Sequence, residues 1–323
     1  MWLSILLLIL GLALILGGAN LLTDGAAAIA RRTGVSELVV GLTVVAFGTS
    51  APELVISVMS ALDNAPELAV GNVVGSNIFN ILAIIGITAL VRPISVQRGI
   101  MTREMPLMVL SSLVLLIMVN TPILDGTDVA EITRSNGLIL LLFFAIFMRY
   151  TISQAKNTDD NTESAETSQT RPMPVWKSVV WVLLGLGGLI YGGDCFVSGA
   201  SEIALVMGVS EAVIGLTIVA FGTSAPELAT SIVAALKGKS GLAVGNVIGS
   251  NIFNAFAVLG ISSTVSPLQP GQIGNFDMLT LVGASLMFWL FGWLFGTRVI
   301  TRVEGGVMTA AYIAYVTCLV MAA

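Results

Sequence analysis

The stretch AFGTSAPELVISV, residues 46–58, places two hydroxyls, a proline and a glutamate within five positions of a hydrophobic run, and it returns as AFGTSAPELATSI at residues 220–232. An offset of 174 positions carries one copy onto the other without a gap. The register extends further: GVSE at Gly34 returns at Gly208, GLT at Gly41 returns at Gly215, and AVGNVVGSNIFN at Ala69 returns as AVGNVIGSNIFN at Ala243. Roughly two-thirds of the positions from Gly34 to Gly86 are identical in their counterparts. The chain is therefore written twice.

Composition says where such a repeat must fold. The 323 residues are 56% hydrophobic and only 10% charged, with a mean hydropathy of +0.96, whereas a soluble domain carries about 25% charged residues. Apolar runs long enough to span the hydrocarbon layer as helices, roughly 18 residues or more, recur from end to end. Barrel strands would alternate instead, which excludes that class. The sequence thus predicts an all-α polytopic membrane protein with about ten transmembrane helices near 2–22, 35–62, 68–91, 105–120, 137–152, 175–197, 209–236, 242–265, 276–295 and 307–321. The first run lacks a basic leader and aligns with the internal run 175–197, so it reads as a retained helix rather than a signal peptide.

Residues 153–172, SQAKNTDDNTESAETSQTRP, are polar, nearly free of large apolar residues and run into prolines at 172 and 174. They predict a disordered linker. Its acids Asp159, Asp160, Glu163 and Glu166 attract cations weakly, with nothing to hold them as a site. The domain reading is a first five-helix repeat at 1–152, a cytoplasmic linker at 153–174 and a second repeat at 175–323. Five is odd, so the second copy enters from the opposite side and the repeats are inverted, an architecture of secondary transporters.

Basic residues set the orientation, because cytoplasmic loops hold the excess of Lys and Arg. Arg31, Arg32, Arg92, Arg98, Arg103, Arg149, Lys156, Arg171, Lys177, Lys237, Lys239, Arg298 and Arg302 all fall in alternate loops, and only Arg134 lies opposite. Both termini are expected outside the cytoplasm, in a bacterial inner membrane. The chain has no histidine, which removes imidazole as a zinc ligand, proton relay or triad base. Cys195 and Cys318 have no CxxC setting and read as small buried hydrophobes.

Pro52 has no N–H and crowds the carbonyl of Gly48, so the helix must bend or unwind around 47–51. Carbonyls freed in lipid need a neighbouring group, water or a cation. Thr49 and Ser50 precede Glu53 by four and three, placing three oxygen-bearing side chains on one face; Thr223, Ser224 and Glu227 repeat this around Pro226. In the second motif Asn72, Ser76 and Asn80 are spaced by four, as are Asn246, Ser250 and Asn254. Gly71, Gly75, Gly245 and Gly249 read as packing residues that let backbones approach. The gathered ligands are all oxygens, a set that suits hard cations such as Ca²⁺. Two glutamates neutralise one divalent ion, where bare buried carboxylates cost several kcal/mol each or protonate. Hydroxyls in membrane helices also bond their own i−4 carbonyl, which leaves Thr49, Thr223, Ser76 and Ser250 open to a structural role; Asn77 and Asn251 read as interhelical glue. Ser36 and Ser210 read as N-caps before Glu37 and Glu211, and Asp24 and Asp194 as interfacial or water-facing acids.

GLTVVAFGTSAPEL with GNVVGSNIFN, present twice, resembles the alpha repeats of the cation/calcium antiporter superfamily, the sodium/calcium exchanger type in particular. The resemblance covers both halves. It implies a ten-helix inverted-repeat antiporter moving Ca²⁺ against Na⁺ or, in other branches, H⁺ or K⁺. It further implies metal ligands at Ala46, Thr49, Ser50, Glu53, Ser76, Asn80, Ala220, Thr223, Ser224, Glu227, Ser250 and Asn254, the alanines acting through backbone carbonyls. The chain departs from the family where an aspartate often stands in one second-motif copy: Asn80 and Asn254 are both amides. Ca²⁺ and Na⁺ (or H⁺) are the expected transported ions, with the lipid bilayer as surroundings, no cofactor, no enzymatic activity and no nucleic-acid partner. Two rivals are a cation channel lined by the same oxygens and an intramembrane aspartyl protease built on Asp194 of YGGD with Asp24, which lack the matched setting a shared proton requires.

Overall fold

The computed structural model describes residues 2–126, 129–156, 174–207, 220–293 and 298–322. The expected linker, apart from its ends, and the Ser210–Glu211 cap lie outside the described residues. Helix α1 is Trp2–Thr33, α2 Glu37–Thr49, α3 Ala51–Leu62, α4 Pro66–Val91, α5 Ile100–Val119, α6 Arg134–Gln154 and α7 Val175–Val206. Then follow α8 Ala220–Leu236, α9 Ser240–Val265, α10 Asn275–Trp293 and α11 Arg302–Met321. Among the described residues eight of these are long and apolar enough to cross a membrane, and nine if α2 and α3 form one broken span. The span expected at 209–236 is described only from Ala220. The protein is all-α and polytopic, built as two inverted repeats.

Several helices outrun their apolar stretch. The apolar reading of the first span stops at residue 22, yet α1 has 32 residues and is about 48 Å long at 1.5 Å per residue, well beyond a hydrocarbon layer of about 30 Å. Its last turn carries Arg31 and Arg32, which favour the negative end of the helix dipole.

The chain divides into two compact units, residues 1–49 with 150–246, and residues 50–149 with 247–323. In the first, Ser4, Gly11, Gly18 and Gly25 recur every seven residues along α1, as do Ser178, Gly185, Gly192 and Gly199 along α7. A Cβ on Gly18 would stand 2.7 Å from the Gly185 carbonyl, one on Gly25 2.8 Å from that of Ser178, and one on Gly192 2.9 Å from that of Gly11. Partner numbers fall as numbers rise, so the helices run antiparallel along a seam of small residues that brings backbone against backbone. The repeat offset exchanges Gly11 with Gly185 and Gly18 with Gly192, so the seam maps onto itself, as inverted copies require. Gly41 and Gly245 make a second such crossing between α2 and α9; a Cβ on Gly245 would lie 2.7 Å from the Leu38 carbonyl. Leu22, Ala26, Leu189, Val233, Ala234 and Leu242 fill the core between these helices.

The second unit repeats the logic. A Cβ on Gly86 of α4 would meet the Gly305 carbonyl of α11 at 2.9 Å, and one on Gly260 of α9 the Gly137 carbonyl of α6 at 3.2 Å. Ser112 of α5 and Ser285 of α10, one position off the repeat offset, share a hydroxyl hydrogen bond of 2.8 Å. A two-residue ladder joins β1, Ile94–Ser95, to β2, Val299–Ile300; Leu268, the counterpart of Ile94, bridges Ile132 in the same way. Each ladder leads into a helix closed by a capping box: the Thr301 N–H donates to Glu304 Oε2 at 2.6 Å, and the Thr133 N–H to Asn136 Oδ1 at 3.1 Å.

The turns before α4 and α9 also correspond. Each needs a left-handed residue, supplied by Asn64 (φ 58°) and its counterpart Gly238 (φ 77°), the two residue types that tolerate it best. The Ala65 N–H then reaches the Ser60 carbonyl at 2.9 Å and the Lys239 N–H that of Ala234 at 2.8 Å, closing the preceding helices in Schellman fashion. Lys237 and Lys239 beside the second turn hold Asp24 of α1 at 2.8 and 3.1 Å. Burial pushes the Lys239 ammonium below its ordinary value, and Asp24 opposes that shift. The counterparts of Asp24 and Lys237 are Ser198 and Asp63, so this ion cluster, which joins an acid of the first copy to lysines of the second, has no image under the repeat.

Two outcomes follow for detergent-solubilised protein followed by thermal melting. Gly18→Leu forces α1 from α7 and lowers the midpoint by several degrees or more, while Gly17→Ala, at a position with open space, leaves it nearly unchanged. Asp24→Asn costs under about 1 kcal/mol, because the pair is part-exposed and screened, and the deficit shrinks as salt rises.

Candidate functional site

The break anticipated from Pro52 is present: α2 ends at Thr49, Ser50 leaves helical geometry at φ −88° and ψ 9°, and α3 restarts with Pro52 in its first turn. The second copy behaves differently, since α8 runs continuously through Pro226. The candidate residues are nonetheless buried in both. Glu53 is 1% and Glu227 0% exposed, and Ala46, Thr49, Ser50, Ser76, Asn80, Ser224, Ser250 and Asn254 are all buried. Thr223 is part-buried, and the side chain of Ala220 lies outside the described residues.

In the first unit the structure brings together Thr49, Glu227 and Asn246. The Thr49 hydroxyl has the Val45 carbonyl at 3.0 Å, the Ala46 carbonyl at 3.4 Å and Asn246 Oδ1 at 3.2 Å. It therefore makes the i−4 backbone bond open to it from sequence and reaches a second helix as well. Asn246 Nδ2 donates to the Glu227 carbonyl at 3.3 Å and to Ser231 Oγ at 3.1 Å. Ser224 Oγ is buried with no hydrogen-bond partner among the described residues.

The second unit contains the matching arrangement around Glu53. Asn72 Nδ2 donates to the Glu53 carbonyl at 3.2 Å and to Ser57 Oγ at 2.9 Å. Asn77 Nδ2 donates to the Asn251 carbonyl at 3.2 Å, the interhelical role its position suggested. Asn80 and Asn254 differ: both amide atoms of each side chain are buried without a partner among the described residues, as is Ser250 Oγ. These orphaned groups, each costing on the order of 1–3 kcal/mol if nothing else contacts it, stand in the positions that the motif marks. Both asparagines sit in wide π turns, Phe79–Ile84 and Phe253–Val258, where the N–H of Ile85 reaches the Asn80 carbonyl and that of Leu259 the Asn254 carbonyl. Such turns are frequent at functional sites.

Among the described residues no three acidic, Cys or His side chains gather, so a cation held here depends largely on neutral oxygens. The remaining acids have other roles. Ser36 Oγ accepts from the Val39 N–H at 3.3 Å and caps α2 ahead of Glu37. Asp24 is engaged by two lysines and lies at the Ser178 end of the α1–α7 seam, while Asp194 lies at the Gly11 end, about 20 Å away along the helices. That separation removes the shared-proton dyad. Cys195 is part-buried and Cys318 exposed on α11, so Cys318 faces outward rather than into the protein core.

Sequence reading alone missed Ser57 and Ser231, the donor role of Asn72 and Asn246, and the π turns. The serines carried a usable signal: they are identical in the two copies, one turn beyond each glutamate.

The profile of the sodium/calcium exchanger protein family matches residues 3–153 and 177–321. The putative antiporter CaxA of Alkalimonas amylolytica is 38% identical over 98% of both chains, and the sodium/calcium exchanger MaX1 of Methanosarcina acetivorans 30% identical over 98% of both. The solved structure of the sodium-calcium exchanger NCX_Mj soaked with 10 mM Na⁺ and zero Ca²⁺ superposes with a TM-score of 0.83 at 33% identity, covering 98% of each chain.

Proposed function

The chain belongs to the sodium/calcium exchanger protein family, and from that premise we propose that it is a secondary active antiporter exchanging Ca²⁺ for Na⁺ by alternating access. The observation that carries this reading is the burial of Glu53 and Glu227 at equivalent places of inverted copies. An intramembrane carboxylate is costly and marks an ion path. Each glutamate also has its backbone carbonyl held by an asparagine amide.

On this proposal the two carboxylates neutralise one Ca²⁺, and the rest of its shell comes from Thr49, Ser50, Ser76, Asn80, Thr223, Ser224, Ser250 and Asn254 with the carbonyls of Ala46 and Ala220. Six to eight oxygens at about 2.3–2.6 Å satisfy Ca²⁺. Counter-ions compete for the same carboxylates. The first and sixth spans, α1 and α7, move together along the rest to open each side in turn. Exchange is obligatory because an empty site with two uncompensated charges does not reorient cheaply. The proposed setting is a bacterial inner membrane with both termini outside the cytoplasm and the linker 153–174 between repeats 1–152 and 175–323.

A proton- or potassium-coupled exchange is the second reading, favoured by the amides Asn80 and Asn254 where the family often carries an acid. Two carboxylates alone accept two protons as readily as they accept monovalent metal ions. A channel is the third, and it needs no counter-ion on the far side.

In proteoliposomes loaded with Na⁺, ⁴⁵Ca²⁺ uptake is expected to saturate and to collapse without the outward gradient. Imposed K⁺ and pH gradients identify the coupling ion by which of them alone sustains uptake. Glu53→Gln and Glu227→Gln are each expected to abolish uptake; normal exchange in both variants refutes the ligand assignment, and uptake indifferent to every counter-ion gradient establishes the channel.

A further inference from the structure

The first asparagine of the second motif copy, Asn246, is fully buried and makes contacts that determine its orientation. The Glu227 carbonyl can only accept a hydrogen bond, so the amide atom 3.3 Å from it is the donor Nδ2. The same nitrogen supplies Ser231 Oγ at 3.1 Å. Oδ1 is thereby turned to the Thr49 hydroxyl at 3.2 Å, which is the donor there.

We propose that Asn246 is a positioning residue for transport: a single amide that grips the backbone of Glu227 with its nitrogen and the hydroxyl of Thr49 with its oxygen, setting the register between an acid of one copy and a hydroxyl of the other. The proposal rests on the reading of Glu227 and Thr49 as ion ligands. Thr49 has one proton, shared between the Val45 carbonyl at 3.0 Å and Asn246 Oδ1 at 3.2 Å, and donating it leaves both hydroxyl lone pairs for a cation. Asn246 itself is committed on both sides. Its two amide hydrogens go to α8 and its oxygen to the end of α2, so its work is to hold ligands and not to serve as one.

The counterpart supports the assignment independently. Asn72 Nδ2 reaches the Glu53 carbonyl at 3.2 Å and Ser57 Oγ at 2.9 Å, the same two acceptors at the same spacing. A pattern that recurs in inverted copies, on a side chain whose sequence position suggested only an oxygen-bearing face, is a built feature of the motif. The requirement is for a donor, which an aspartate lacks.

The test uses the full-length protein in proteoliposomes, with initial ⁴⁵Ca²⁺ uptake measured over a range of Ca²⁺ and counter-ion concentrations. Asn246→Ala is expected to raise half-saturating Ca²⁺ about tenfold, the effect of losing one buried hydrogen bond at a ligand, with a maximal rate lowered no more than about threefold. Thr49→Ala raises it too, and the double variant is worse than either single one but by less than the product of the two factors, because the Thr49–Asn246 contact is lost only once. Asn246→Asp keeps the volume and the acceptor but has no donor, so it also weakens Ca²⁺ binding despite its added charge. Should Asn246→Ala fail to fold, Asn246→Asp and Ser231→Ala decide the matter, the serine variant raising half-saturation by a smaller factor. Unchanged half-saturation in Asn246→Ala, effects that multiply with Thr49→Ala, or tighter binding in Asn246→Asp overturns the positioning role while Glu227→Gln stays inactive. Normal transport by Glu227→Gln overturns the ligand reading and this proposal with it.

Discussion

A carboxylate inside an apolar helix bundle is tolerable only if something compensates its charge, and the local structure around Glu53 and Glu227 is organised by that requirement. Burial from water costs several kcal/mol per ion even after relaxation. The sequence meets this with polar groups that are themselves apportioned: one asparagine holds the backbone of each glutamate, a second reaches between helices as Asn77 but bonds its own helix as Asn251, and a third, Asn80 or Asn254, keeps its amide unspent among the described residues. All three lie on one helix, at 72, 77 and 80 or at 246, 251 and 254, and the wide turn that begins at Phe79 or Phe253 separates the third from the others. On the proposed reading, holding and binding fall to different members of one short motif.

Writing the chain twice in opposite senses makes most contacts come in pairs. The α1–α7 seam maps onto itself, and the Gly86–Gly305 crossing has an image in Gly260–Gly137. Alternating access needs two end states of similar energy, and near-equivalent halves supply them without separate design of each. The departures from symmetry are therefore the informative places. Only α2 is interrupted at its proline motif, while α8 continues through Pro226. The Asp24–Lys237–Lys239 cluster between the copies has no symmetric image. On the proposed alternating-access reading, it is such differences, and not the identical motifs, that set the two faces apart in energy.

What was legible in the sequence was whatever recurs or accumulates. The offset of 174 exposed the repeat, the apolar runs exposed the spans, and an odd number of spans per copy exposed the inversion. Pro52 marked the break at Ser50 because a missing N–H has a local consequence. By contrast, a π turn adds one residue to a helix without any special residue type, so Phe79–Ile84 left no mark in composition. Helix ends were misjudged where charged residues such as Arg31 and Arg32 continue a helix past the apolar layer. For the candidate site, residue types were legible and their division of labour was not. An asparagine offers a donor and an acceptor at once, and only geometry tells which end faces which helix.

That same duality bears on the departure at Asn80 and Asn254. Replacing an acid by an amide lowers the charge of the proposed site by one and replaces an acceptor with a donor. Fewer negative charges repel each other when no cation is bound, so the cation-free state is less costly than with a third carboxylate. Ca²⁺ in turn gains less from entering, because an amide oxygen binds it through a dipole rather than a full charge. Both effects narrow the gap between loaded and unloaded states. On the proposed reading, selectivity for Ca²⁺ then rests on how many oxygens converge and how firmly they are held. A small ion in a cage made for six to eight ligands leaves some of them unpaired, at a cost that the larger ion avoids. Rigid placement of Glu53 and Glu227 by their asparagines makes that cost unavoidable, since a site free to contract would welcome either ion.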